Sequence, residues 1–254
     1  MVGPRTKIVF LSLFFTFAFA LLFLALVQNY ARAETFVSDP VFTPSTSDIH
    51  PVFGIGISSL PDFDFDSDDS FQKYLNADHP FLDTSYTPND LIHIESDFTA
   101  NNSRAFELRQ EAATQFADMA RHFRNTFSWD RLYITSTYRS KWFQDFLVKQ
   151  WCSLLKCAKV WTSEHQAWLA LDLKVITRWG RWISFDITDK PNKYYDWLKT
   201  NAAEFGFHNT YQRGIEIDGK IAEWRHRRYV GKELATILMN NNQTFAEYYN
   251  STNN

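Results

Sequence analysis

Apolar residues recur every three or four positions over residues 102–127, at Ala105, Leu108, Ala112, Phe116, Met119 and Phe123. That spacing predicts a helix with one buried stripe. It returns over residues 143–155 and again over 194–205, where Gly206 stands as a C-cap. Elsewhere the period is two. Leu169, Leu171, Leu173 and Val175 point one way, and Ala170, Asp172 and Lys174 point the other. Residues 132–135, 181–186 and 223–230 read as further strands. Helices mixed with short strands, without a βαβ alternation, predict an α+β fold. The expected form is a small central antiparallel sheet flanked by helices. No internal repeat is visible.

The pattern changes at both ends. An almost unbroken apolar run covers residues 8–27, behind Arg5 and Lys7, and Ala31, Arg32 and Ala33 follow. A basic start, an apolar stretch and an Ala-x-Ala site describe a secretory signal peptide, but a run of this length also suffices to span a bilayer. Residues 1–33 are therefore expected to be a cleaved leader or an anchor inserted through residues 8–27. In both readings the positive charges precede the run, so the remainder is expected outside the cytoplasmic membrane. Residues 34–80 carry Pro40, Pro44, Pro51, Pro61 and an acidic stretch over 62–69, and read as a largely unstructured linker. A calcium loop counted from Asp62 fails, because Ser67 and Lys73 fall where Gly and Glu are required. The folded domain is expected over residues 81–240, followed by a polar, frayed tail over 241–254.

Composition narrows the function. The 254 residues include nine Trp and 24 Phe, ample for a core. A net charge of −3 gives no basic field for nucleic acid. Cys152 and Cys157 leave two readings open: a bridge, which requires the helix to end between them, or two buried thiols. A monomer is expected.

Hydrolytic zinc needs three protein ligands, an open position for water, and a carboxylate outside the ligand set to move the proton. Two stretches offer these parts. In the first, His165 precedes the alternating strand and Asp172 lies on its non-core face, where an ionised carboxylate between leucines needs a partner. In the second, Glu223 stands three residues before His226 in an aromatic and basic setting. Taken singly, the first reads as a structural hydrogen bond and the second as a surface strand laced with ion pairs.

Together the two stretches resemble the zinc signature of the VanY-type D-alanyl-D-alanine carboxypeptidases, S-x-H-x-x-G-x-A-x-D followed by E-P-W-H. Ser163, His165 and Asp172 match the first part, and Glu223 and His226 the second. Tyr86, Pro88, Asp90 and Leu91 resemble the family's opening element, and Tyr138, Arg139, Ser140 and Gln144 its Y-R-S…Q element. Trp197, Leu198, Asn201, Ala202, Phe205, Gly206 and Phe207 follow in order, and Arg228, Tyr229, Val230 and Gly231 close the pattern. The resemblance implies Zn2+ held by His165, Asp172 and His226, with Glu223 as general base and then acid. It also implies Arg139 at the scissile carbonyl or the substrate carboxylate, and Ser163, Gln144 and Tyr138 on the substrate. The implied substrate is a peptidoglycan stem peptide losing its C-terminal D-alanine. L,D-carboxypeptidase or wall endopeptidase action, or a non-catalytic wall-binding module, are the alternatives. Two departures flank the ligands: Trp168 replaces the family Gly, and Glu223, Trp224, Arg225 and His226 replace E-P-W-H, which puts the pocket's shape in question.

Overall fold

The computed structural model describes residues 61–99, 106–185 and 192–253, all within one unit, Leu60–Asn254. The apolar run over residues 8–27 and the linker up to residue 60 lie outside the described residues. Among the described residues no helix is long and apolar enough to cross a membrane.

Two short strands come first, β1 (Leu91–His93) and β2 (Glu107–Arg109), paired antiparallel with Ile92 opposite Leu108. Helix α1 (Gln110–Thr126) follows directly. The helix therefore starts later than its apolar spacing predicts. Residues 107–109, read as part of that helix, form a strand instead, with Phe106 and Leu108 both buried. Next come β3 (Arg131–Ser136), α2 (Lys141–Gln150), β4 (Ala170–Ile176) and β5 (Trp182–Ile183). Then follow α3 (Lys193–Asn201), β6 (Phe207–His208), α4 (Ile215–Asp218), β7 (His226–Tyr229), α5 (Lys232–Asn240) and α6 (Phe245–Asn253).

The main sheet is antiparallel, ordered β3-β4-β7-β6, with β5 also on β4. The α+β expectation holds. Its core face carries Leu169, Leu171, Leu173 and Val175, packed with Phe116, Met119 and Phe123 of α1 in one apolar cluster. Ala170 and Asp172, on the other face, are just as buried, so one end of β4 is covered on both sides. Gly206 closes the helical segment before β6 at φ 78°, and a Cβ there would stand 2.5 Å from the Tyr229 ring. No other residue fits that turn.

Three expectations need correction. Residues 61–80 are not linker. Phe63 and Phe65 pack on a second cluster built from Tyr74, Val230, Leu234, Leu238, Phe245 and Tyr248. The acidic stretch is also engaged: Asp68 pairs with buried Lys73 at 3.1 Å and accepts the Asp83 amide at 2.7 Å. Second, residues 241–253 are not a frayed tail, since α6 buries Phe245, Ala246 and Tyr248. Third, the strand predicted over 223–230 is shorter, which leaves Glu223 in the preceding loop. The cysteine alternatives resolve as a Cys152–Cys157 disulfide. Helix α2 ends at Gln150, ahead of both cysteines, and frees the chain to bring their Cα atoms to 5.8 Å.

Candidate metal centre and cleft

Strand register builds the centre. Asp172 lies directly opposite His226 across β4 and β7, a pairing that brings side chains on one face together. His165 arrives from a 3-10 turn, Glu164–Ala167, just ahead of β4. The three ligand atoms all lie within 4.8 Å of one another, and all three residues are buried. His165 Nε2 and His226 Nδ1 each stand 3.4 Å from Asp172 Oδ1. That oxygen is buried and has no hydrogen-bond partner. An unpartnered carboxylate oxygen facing two imidazole nitrogens is costly without a cation. The donor set, two nitrogens and one oxygen, suits Zn2+.

The outer atoms of the ligands are also held. His165 Nδ1 meets the Thr137 carbonyl at 2.6 Å, and His226 Nε2 meets Glu164 Oε2 at 2.7 Å. Thr210 Oγ1 donates to the same Glu164 oxygen at 2.7 Å. Such partners fix ring orientation and tautomer. Glu164 is the residue sequence reasoning missed.

Charge in the centre follows from these contacts. Burial opposes ionisation of Asp172, yet His165 and Arg139 hold its carboxyl well below the usual range. Burial pulls His226 down, but the nearby Asp172 and Glu164 carboxylates outweigh this and raise it to about 9. Burial and the Arg139 guanidinium lower His165.

A bulge between Ile134 and Ser136 sets Ser136 opposite Asp172. Arg139 Nε then reaches Ser136 Oγ at 3.1 Å, and its Nη2 reaches Asp172 Oδ2 at 2.6 Å. The two oxygens of Asp172 are thus divided, one to the guanidinium and one to the histidines. Arg139 also lines a cleft of about 450 Å³ with Glu223, Arg225 and Lys156. Arg225 Nε pairs with Glu223 Oε1 at 2.7 Å and stands 4.0 Å from Asp172 Oδ2, tying the loop carboxylate to the metal side. The Glu223 amide donates to the Tyr211 carbonyl at 3.0 Å, which fixes the loop.

The other three predicted residues do not form the cleft wall. Gln144 is fully buried and donates to the Ala158 carbonyl at 2.6 Å. Ser163 is buried at the start of the 3-10 turn. Tyr138 stacks flat on Trp168, with centroids 3.9 Å apart and 4° between planes. Trp168 holds the left-handed φ of 55° that a glycine would take, and its side chain turns to Tyr138 rather than into the cleft. Arg228, far from a surface ion pair, is fully buried and donates to the Phe71, Lys73 and Tyr229 carbonyls.

A buried His–Asp–His set at the end of a sheet, with a carboxylate and guanidinium groups on the adjoining cleft, is an arrangement suited to metal-assisted hydrolysis. A family model described as VanY, D-alanyl-D-alanine carboxypeptidase, matches residues 105–232. The chain belongs to this family. A D-alanyl-D-alanine carboxypeptidase of Enterococcus faecalis is 36% identical over 91 residues, which is 35% of this chain and 31% of that protein. The chain thus spans about a third of that curated relative. Among solved structures, the LdcB LD-carboxypeptidase is similar with a TM-score of 0.62 at 24% identity, over 72% of this chain and 87% of that one. VanYB, solved in complex with D-alanine-D-alanine, gives 0.51 at 24% identity, over 70% and 96%. At this identity the likeness is one of fold.

Proposed function

We propose that the chain is a zinc-dependent D,D-carboxypeptidase that removes the C-terminal D-alanine from peptidoglycan stem peptides outside the cytoplasmic membrane. The observation that carries this reading is the unpartnered Asp172 oxygen facing His165 and His226 beside a cleft that holds Glu223. His165, Asp172 and His226 would hold the ion, which would supply Lewis-acid charge that makes a water nucleophilic at neutral pH. Glu223 takes the proton of the attacking water and returns it to the leaving amine. Glu223 stays fixed by Arg225 while it does so, and Arg139 stabilises the negative charge that develops on the carbonyl oxygen.

Charge on the cleft wall favours an exopeptidase. Arg139, Lys156 and Arg225 outnumber Glu223 there, which suits a peptide ending in a free carboxylate. The test is the full chain with a D-alanine-terminated pentapeptide, with and without chelator, and with the C-terminal amide of the same peptide. Metal-dependent release of D-alanine from the free acid alone is expected. Release from the amide would make the enzyme an endopeptidase. Cleavage of a tetrapeptide in preference to the pentapeptide would make it an L,D-carboxypeptidase, and metal binding without any turnover would leave a wall-binding module.

A further inference from the structure

Exposed apolar side chains are unevenly spread over the described residues. Trp142, Phe146, Trp151, Leu154 and Leu155 stay in solvent within one short stretch, with Trp142 and Trp151 at 73% and 76% exposure. Trp142 and Phe146, one turn apart on α2, stack at 5.7 Å. Leu154 and Leu155 stand at the tip of the loop closed by Cys152–Cys157. The backbone of that tip is held from behind: the Leu154 carbonyl accepts Lys220 Nζ at 2.7 Å, and the Leu155 carbonyl accepts the Ile221 amide at 3.0 Å. The side chains are thus presented outward on a braced frame. Single exposed hydrophobics are ordinary, whereas a dense group marks an interaction surface.

The charge around this group selects the occupant. Residues 141–160 carry Lys141, Lys149, Lys156 and Lys159 against Asp145 alone, in a chain whose net charge is −3. All four lysines are exposed. Indole rings and leucines suit the boundary between headgroups and acyl chains, and lysine stems lie along apolar surface while their ammonium groups meet anionic headgroups. A glycan strand would use the aromatic faces and leave both leucines and the four cations idle.

We propose that α2 and the disulfide-closed loop dock on an anionic lipid surface, with Trp142, Trp151, Leu154 and Leu155 entering the acyl boundary by ~5–10 Å. The docking stands whatever bond the enzyme cleaves. Cys152, Lys156 and Cys157 also line the cleft, so docking sets the cleft mouth at the membrane. If the catalytic reading above holds, substrate is then taken at the bilayer face.

No tryptophan precedes Trp129, so indole fluorescence of the full chain reports only on the folded domain, whatever residues 8–27 do. The probe is vesicles of phosphatidylcholine, with or without phosphatidylglycerol, whose acyl chains are brominated near the headgroup. Quenching that requires phosphatidylglycerol is expected. It should vanish in the double variant W142F/W151F and persist in W129F/W179F/W182F, which removes the exposed indoles elsewhere. L154S/L155S keeps every indole and should lose most of the quenching. Three results would overturn the proposal: no quenching, equal quenching on neutral vesicles, or quenching that survives W142F/W151F. A spectral shift of the same two indoles with soluble glycan strands, without quenching by lipid, would reassign the surface to a sugar chain.

Discussion

The carboxylate of Glu164 meets the outer nitrogen of His226 at 2.7 Å, with both groups buried, and leaves Nδ1 of that ring turned toward Asp172. His165 is held in the same manner by the Thr137 carbonyl, but a carbonyl carries no charge. Glu164 therefore does more than orient. Burial opposes its ionisation, yet the His226 hydrogen bond and charge keep it an anion, and that anion makes the ring more basic.

Replacing Glu164 by Gln keeps the volume and removes the charge. Zn2+ affinity should fall about 10- to 100-fold, with turnover at saturating metal much less affected. The linkage has a definite sign. Without metal, His226 holds its proton up to about pH 9, and a ligand nitrogen must give that proton up. Affinity in the wild type should therefore strengthen about tenfold per pH unit as pH rises toward that value. Titration calorimetry in two buffers of different ionisation enthalpy reads the released proton. An unchanged dissociation constant in E164Q would make Glu164 a packing residue only.

Asp172 and His226 were legible through the order of the family motifs; the alternation of leucines added only that Asp172 stands opposite the core, and the partner strand brings His226 across from it. Glu164 was not legible. It adjoins His165, but its partner lies 62 residues along the chain, and a 3-10 turn sends neighbours in different directions. The first packed segment carried a signal that its prolines and aspartates hid. Phe63 and Phe65 alternate with acids, which is the pattern of an extended chain with one apolar face. In the last helix, Phe245 and Tyr248 are spaced to fall on one buried side, while asparagines crowd the sequence around them. Helix α1 began late because a three-residue strand is too short to register against helical spacing.

Glu223 sits in the loop before β7, outside the ligand set and on the cleft wall, and the proposed reaction makes it the proton carrier. Glu223→Gln can still accept from Arg225, so the loop should keep its shape. Metal content should stay at the wild-type level, and D-alanine release should fall about 10²- to 10⁴-fold. Metal analysis paired with the peptide assay checks both halves. A wild-type rate in this variant would remove Glu223 from the mechanism.

Trp168 holds a left-handed backbone, which costs a residue with a Cβ about 1–2 kcal/mol. Its ring recovers that by burial and by the stack on Tyr138, although its indole N–H is buried without a partner. Trp168→Gly relieves the backbone and loses the ring. Removing a buried Trp side chain costs about 3–5 kcal/mol, so the net loss should be about 2 kcal/mol. Trp168→Phe keeps the stack and deletes the unpaired donor, and should leave stability within about 1 kcal/mol of wild type. Since the ring does not line the cleft, KM should hold in both variants. Denaturant unfolding and steady-state kinetics distinguish this from a pocket-shaping role, which would move KM first.

His208, on β6, supplies a pH dependence apart from the metal ligands. Burial and then the Arg227 guanidinium push its imidazole down to about 3, against the opposing pull of Glu164. The folded value thus lies below the ordinary 6.5. A depressed group contributes stability that is present above its unfolded pKa and lost as pH falls toward the folded one. The window runs from about pH 6.5 downward, with a slope of at most about 1.4 kcal/mol per pH unit. Close to pH 6.5 His226, raised to about 9, still takes up a proton on folding and offsets part of this fall, and about one pH unit lower it is protonated in both states and contributes no slope. Glu164 and Asp172, lowered from 4.5 and 3.8, begin to matter only at more acid pH. His165, also lowered, adds a slope of the same sign. The melting temperature of metal-free protein should therefore fall as pH drops below 6.5, most steeply between about 5.5 and 4.5. His208→Gln should make that slope shallower, while the slope from His165 remains. An identical slope in the variant would mean that His208 accepts a proton in the folded chain as readily as in the unfolded one.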